Sequence, residues 1–141
     1  ALDRAALREI VFRDPDARAE LEAIVHPQVA ALRDEEFARA AAAGERIIVA
    51  DIPLLFEVGM EKDFDILVLV DAPEDVRRAR IVENRGIAPE DADRMIAAQM
   101  PSERKRPRAH HVIDNDASLA ALTARAEAVW REITAAAASL S

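Results

Sequence analysis

The chain has 141 residues, with 19 basic and 27 acidic ones giving a net charge of −8, and 51% of it is hydrophobic although aromatics make up only 4%. That length can bury one core, here an aliphatic one, and no apolar run approaches the roughly 18 residues of a membrane span. Without cysteine there is no disulfide, thiolate metal site or cysteine nucleophile; three histidines are too few for a histidine-rich metal site, and the acidic balance argues against a general nucleic-acid surface.

Residues 2–12 read as a helix, with Asp3 near its start and Leu7, Ile10 and Val11 on one side. Ala1 follows no methionine and no leader is visible, so the start reads as a cut inside a longer protein, with removal of an initiator methionine as the alternative. Asp14-Pro15 restarts the chain, because Asp14 can cap and Pro15 fits a first helical turn. Leu21, Ile24 and Val25 form an apolar stripe. His26-Pro27 is expected to break and restart the helix in the same way, with a long helix following to about residue 43 and Gly44 ending it. Residues 46–50, with Ile47-Ile48-Val49, then predict a short strand ending at Asp51. Residues 66–70 predict a second, bounded by Asp65 and Asp71. Apolar runs without alternation predict strands buried on both faces, as in a parallel sheet.

Pro73-Glu74-Asp75 and Pro89-Glu90-Asp91 each open a helix with acids in the first turn, the second running to about Met100. Val112-Ile113 is a short third strand. Asn115-Asp116 is expected to cap a last helix carrying Leu119, Leu122, Ala126, Val129 and Ile133 on one face, with residues 135–141 fraying. Strands alternating with helices predict an α/β fold with a parallel sheet in a single partial domain. Its parts are a helical segment at 1–45, core strands at 46–76, a lid at 77–109, and a last strand and helix at 110–141.

Two features carry chemistry. Asp51-Ile52-Pro53-Leu54-Leu55-Phe56-Glu57 puts an acid at the carboxyl end of a strand, where open α/β sheets bind ligands. Asp51 there can orient a magnesium-bound water, and Pro53 to Phe56 can wall a pocket or bury a loop against helices. The second is a basic island: residues 77–108 hold nine basic and five acidic residues, +4 in a chain whose remainder carries −12. Arg77, Arg80, Arg85, Arg104, Lys105, Arg106 and Arg108 can close over a phosphoryl group or simply form a solvated helix face. His26 before Pro27 can touch a ligand or be structural. Only Gly44, Gly59 and Gly86 are present and none precedes a lysine, so no GxxxxGK[ST] phosphate loop can be drawn on these residues.

In order and spacing these strings resemble the dephospho-CoA kinase family. Leu2-Asp3-Arg4, Val11-Phe12 with Asp14-Pro15, and Leu21-Glu22 with His26-Pro27 are similar to its helical CoA-binding part. The string from Asp51 to Glu57 is its most specific signature. Asp71-Ala72-Pro73-Glu74, Arg80, Asn84-Arg85-Gly86 and Ala97-Ala98-Gln99-Met100 are similar to its lid, and Val112-Ile113-Asp114-Asn115 to its strand and turn near adenine.

The resemblance implies a P-loop NTPase-like three-layer α/β/α fold. It is incomplete here, since the family's first strand, phosphate loop and catalytic acid would lie upstream of Ala1. It implies transfer of the ATP γ-phosphoryl group to the ribose 3′-hydroxyl of dephospho-CoA, with Mg2+ accompanying ATP. ATP and dephospho-CoA are the implied partners, with no nucleic acid and no membrane, in the cytoplasm. It makes Arg80 and Arg85 the lid arginines, Arg80 and Asn115 ATP contacts, Asp51, Pro53, Leu54, Leu55 and Phe56 the acceptor wall, and His26 part of the CoA-holding segment; no residue is assigned to bind metal directly. His110 stands where an aspartate is more usual, Asp116-Ala117 replaces a small or glycine-containing turn, and Met95 sits beside Arg94 where a lid arginine is expected. The chain alone is expected to be weakly stable and inactive. The other readings are a different nucleotide or nucleoside kinase of this fold, and a non-catalytic CoA- or nucleotide-binding protein without a phosphate loop.

Overall fold

The structure, a computed structural model, describes residues 3–139; Leu2 and the last two residues of the predicted tail lie outside them. The chain divides into two compact units, Ala1–Val49 and Ala50–Ser141.

The first unit is helical. Helix α1 (Arg4–Arg13) packs against α2 (Pro15–Ala42). Asp14 joins them as predicted: its carboxylate accepts from the amides of Asp16 at 2.9 Å and Ala17 at 3.2 Å, with Pro15 at the first helical position. The predicted break at His26-Pro27 is not found, and α2 runs through it for 28 residues. A proline removes one amide donor and crowds the carbonyl four residues back. The Ala-, Leu- and Glu-rich flanks restore the helix on either side. At the far end Glu45 donates to the Ala40 carbonyl and Gly44 to that of Ala41, with Gly44 at φ 82°, the left-handed turn that glycine makes without strain. The predicted strand at 46–50 is also not found. Ile48 and Val49 are 40% and 76% exposed, and no described residue offers this segment a hydrogen-bonded ladder, without which extended chain is not a strand.

The second unit holds the parallel sheet that the sequence predicts. Strand β1 (Val68–Asp71) pairs with β2 (His111–Asp114) in the register Val68–His111 to Asp71–Asp114. The crossover between them carries α3 (Glu74–Arg85), α4 (Pro89–Ala97) and the short α5 (Ser102–Lys105). Parallel neighbours require such a connection. Gly86, at φ 61°, ends α3 by donating to the Val82 carbonyl. Helix α4 packs on α3 and turns Ala92 and Ile96 inward. Helix α6 (Leu119–Ser139) packs against β2. Its cap is Ser118, whose hydroxyl accepts from the Ala121 amide, rather than the predicted Asn115-Asp116; and residues 135–139, predicted to fray, are helical.

The core of this unit is small: Phe56, Leu67, Ala72, Ala92, Ile96 and Ile113, with Lys105 the one charged side chain buried among the described residues. Strand β1 is not buried on both faces as predicted. Val68 and Val70 are 40% and 58% exposed, because a two-stranded sheet encloses one face and leaves the other open. The ladder begins at a reciprocal pair. The Leu67 amide donates to His110 Nδ1 at 2.9 Å, and the His110 and His111 amides donate to the Leu67 carbonyl.

Candidate active site

Both strands end in an aspartate, and the polar groups of the unit collect there. Asp71 closes β1 and Asp114 closes β2. Arg106 bridges them, with Nη1 2.9 Å from Asp71 Oδ2 and 2.8 Å from Asp114 Oδ1. The Ser102 hydroxyl donates to Asp71 Oδ1 at 2.6 Å, and the Ala72 amide donates to the same oxygen. Burial alone would raise the Asp71 pKa; the Ser102 hydroxyl, the Arg106 guanidinium and the Ala72 amide outweigh it and hold the carboxyl below its ordinary value. A cleft of about 480 Å³ opens beside this cluster, walled by Asp71, Arg77, Gln99, Met100, Arg106 and Asp116 among others. Arg77 donates to Gln99 Oε1 at 3.4 Å, and its Nε is buried with no partner.

Two of the sequence-predicted site residues meet at this end of the sheet. The Asn115 amide donates to the Asp71 carbonyl at 2.6 Å, and Arg80 Nη1 donates to the Asn115 carbonyl at 3.0 Å. Arg80 rises from the middle of α3 and is half-buried. Arg85 does not join them. Five positions along the helix turn it about 140° from Arg80, and it is exposed at the end of α3. His26 belongs to the other unit and is exposed on α2.

The acceptor-wall string forms a turn over residues 53–59. Its backbone is closed by bonds from Val58 to Leu54 and from Met60 to Leu55. Phe56 is buried and Leu55 half-buried, while Asp51, Pro53 and Leu54 are exposed. One half of the apolar string is therefore core and the other half faces outward. Glu57 turns inward: Oε1 accepts from the Met100 amide at 2.8 Å and lies 2.6 Å from Lys105 Nζ, and Oε2 is buried without a partner. Burial alone would raise the Glu57 pKa; Lys105 and the Met100 amide hold it below its ordinary value.

The basic island is not a uniform cationic lid. Arg78 pairs with Asp93, Arg94 with Asp91, Lys105 with Glu57, Arg106 with Asp71 and Asp114, and Arg108 with Glu61. Among the described residues that leaves Arg77, Arg80, Arg85 and Arg104 outside any ion pair. Asp71 and Ser102 were not named as candidate site residues in the sequence, and Arg106 was named only as one cation of the basic island. The signal for Asp71 was present, since it ends an apolar strand just as Asp51 was expected to.

A parallel α/β unit with its cleft and polar side chains at the carboxyl ends of the strands has the geometry of a ligand-binding α/β protein. Comparison with known proteins gives the family. Residues 1–121 match the dephospho-CoA kinase family. The dephospho-CoA kinases of Anaeromyxobacter dehalogenans and Deinococcus radiodurans are each 44% identical over 94% of this chain, covering 63% and 64% of their own lengths. Among solved structures, a Thermus thermophilus protein is 41% identical with a TM-score of 0.72, over 93% of this chain and 67% of that one. The dephospho-CoA kinase of Campylobacter jejuni is 28% identical with a TM-score of 0.64, over 94% and 65%. The chain belongs to the dephospho-CoA kinase family, and it spans less than two-thirds of the length of these curated relatives.

Proposed function

We propose that this chain carries the acceptor-binding and lid portions of an enzyme that moves the γ-phosphoryl group of ATP to the ribose 3′-hydroxyl of dephospho-CoA, the final step of coenzyme A synthesis. The observation that carries the reading is the family match over residues 1–121, which includes the Arg80–Asn115 contact beside the cleft. In this reading Arg80 contacts the ATP phosphates and Asn115 lies near adenine. A fixed guanidinium stabilises the charge that spreads over a transferring phosphoryl group and needs no covalent step. The orphaned Nε of Arg77 is a further buried donor at the cleft wall. Asp51, Pro53, Leu54, Leu55 and Phe56 face the acceptor, and His26 helps hold the CoA moiety. Arg85, facing solvent, is a secondary cation whose truncation should matter less than that of Arg80.

Among the described residues no three acidic or histidine side chains gather to cage a metal. In this reading magnesium accompanies ATP as substrate, which suits an ion that keeps water and phosphate oxygens around it, with Asp51 an exposed carboxylate at the start of the wall string. We read the fold as P-loop NTPase-like, and place the protein in the cytoplasm, where this pathway's substrates are found. Among the described residues no helix is long and apolar enough to cross a membrane.

Thermal unfolding with dephospho-CoA and with MgATP tests the reading. A ligand that binds only the folded state adds about 2.7 kcal/mol at a hundred times its Kd. Dephospho-CoA is expected to raise the midpoint, and no rise at millimolar ligand would overturn the acceptor assignment. No phosphate loop is present in these 141 residues, so transfer by this chain alone is not expected. Coenzyme A formation by the purified chain without added polypeptide would refute that part.

A further inference from the structure

The segment from Met100 to Arg108 holds two parts of the second unit at once. On one side it grips the wall loop. The Met100 amide and Lys105 Nζ both bind Glu57 Oε1. Arg108 pairs with Glu61, and its guanidinium lies 5.5 Å from the centre of the Phe56 ring, within reach of the cation–π attraction. On the other side the segment grips the strand ends. Ser102 binds Asp71, and Arg106 binds Asp71 and Asp114. Met100, Ser102 and Arg106 also wall the cleft.

Lys105 is the centre of this arrangement. Its side chain is 10% exposed and that of Glu57 17%. A buried ion pair is weak evidence for stability, because desolvating two charges offsets most of their attraction and a well-packed apolar pair does as well. What such a pair supplies is a defined geometry between the two segments it joins. A phosphate-binding role for Lys105 would require its ammonium in the open. It is instead committed to a carboxylate on the loop.

We propose that Lys105 and Glu57 are positioning residues that hold the Pro53–Phe56 wall in register with the cleft at the strand ends. The inference deepens the reading above, since under that reading the wall takes the acceptor and the cleft side takes ATP. The pair then sets the distance between the acceptor hydroxyl and the phosphoryl group, and Lys105 touches neither substrate.

The test has one arm that needs no ligand. Amide hydrogen exchange is followed in the 141-residue chain and in its Lys105→Met, Glu57→Gln, Arg108→Met and Arg104→Met variants. Local openings are read amide by amide in this experiment. In Lys105→Met and Glu57→Gln, the Val58, Met60 and Met100 amides should exchange together, about tenfold faster or more, while α6 stays protected. Arg108→Met removes an exposed grip, so it should fold even where the buried variants do not, and it should speed the same loop amides by about threefold. Arg104→Met, beside the pair but outside any ion pair, should change nothing. Loop amides that keep wild-type rates in a folded Lys105→Met or Arg108→Met chain would overturn the proposal.

The second arm is dephospho-CoA affinity by calorimetry. It should fall about tenfold in Lys105→Met and recover in Lys105→Arg, a fall that a purely structural role would not give to the folded fraction. Unchanged affinity in a folded Lys105→Met chain would count against the proposal as well. A wild-type chain that does not bind dephospho-CoA would sink the functional reading, and the exchange arm would still decide the coupling.

Discussion

The two units differ in what holds their residues in place. In Ala50–Ser141 six apolar side chains and one lysine are buried, whereas no described side chain in Ala1–Val49 is. The helical unit rests on contacts close in sequence: the Asp14 cap, the Gly44 turn and the Arg18–Glu22 pair one turn apart. Its apolar stripe is open to solvent, with Ile24 62%, Val29 57% and Leu32 63% exposed. The sheet unit is tied by contacts distant in sequence, such as Glu57 with Met100 and Lys105, Leu67 with His110, and Asp71 with Ser102 and Arg106. Local contacts make a helix; only the distant ones fix a site's geometry. The candidate residues of the second unit therefore stand in defined relation to one another.

The comparison breaks most sharply at the core. Phe56→Ala is expected to destabilise the second unit by about 3–4 kcal/mol, since it empties the largest buried side chain there. Leu32→Ala, on the exposed face of α2, should cost less than about 0.5 kcal/mol. Urea unfolding followed by far-ultraviolet dichroism checks both; equal losses would mean that the α2 face is covered after all.

A single distant hydrogen bond comes next. His110→Ala leaves the Leu67 amide without its acceptor at the start of the β1–β2 ladder, at a cost of about 1–2 kcal/mol. His110→Asp restores an acceptor and should recover most of it. The local counterpart is Asp14→Ala, which removes the α2 cap at about 1 kcal/mol and should fray only the first turn, visible as faster exchange of the Asp16 and Ala17 amides.

The same division explains what could be read from the sequence. The caps at Asp14 and Gly44, the two paired strands and the helices between them were legible, because each is set by residues a few positions apart. The strand at 46–50 was not, because a strand needs a partner and the apolar run Ile47-Ile48-Val49 cannot say where one is. Pro27 misled because a proline's cost is local and the long helix around it absorbs it. In the site, Arg80 and Asn115 were placed by resemblance and found together. The partners of three cations of the basic island, Lys105, Arg106 and Arg108, were not legible, because their carboxylates, Glu57, Glu61, Asp71 and Asp114, lie outside the island.

The smallest expected effect is a pH dependence that separates the units by salt. Asp71 and Glu57 titrate below their ordinary range of about 4 in the folded chain. A depressed folded pKa adds stability that is fully present above the unfolded value and is lost as pH falls through the folded one. The second unit should therefore weaken steadily below about pH 4. Glu22 is also depressed, by Arg18 one turn away, but that pair is exposed to solvent. Salt screens an exposed pair strongly and a half-buried cluster weakly. Adding about 0.5 M salt should thus remove the acid sensitivity of α2, and in the sheet unit that of the exposed Asp93 and Asp116 pairs, and leave the share carried by Asp71 and Glu57. Asp71→Asn should shrink the remaining acid limb to the share of Glu57, because the amide keeps the shape and carries no titrating charge. Acid unfolding followed by amide exchange in each unit reads both. A sheet-unit limb that vanishes in salt would mean that the Asp71, Ser102 and Arg106 cluster is as open to water as the surface pair.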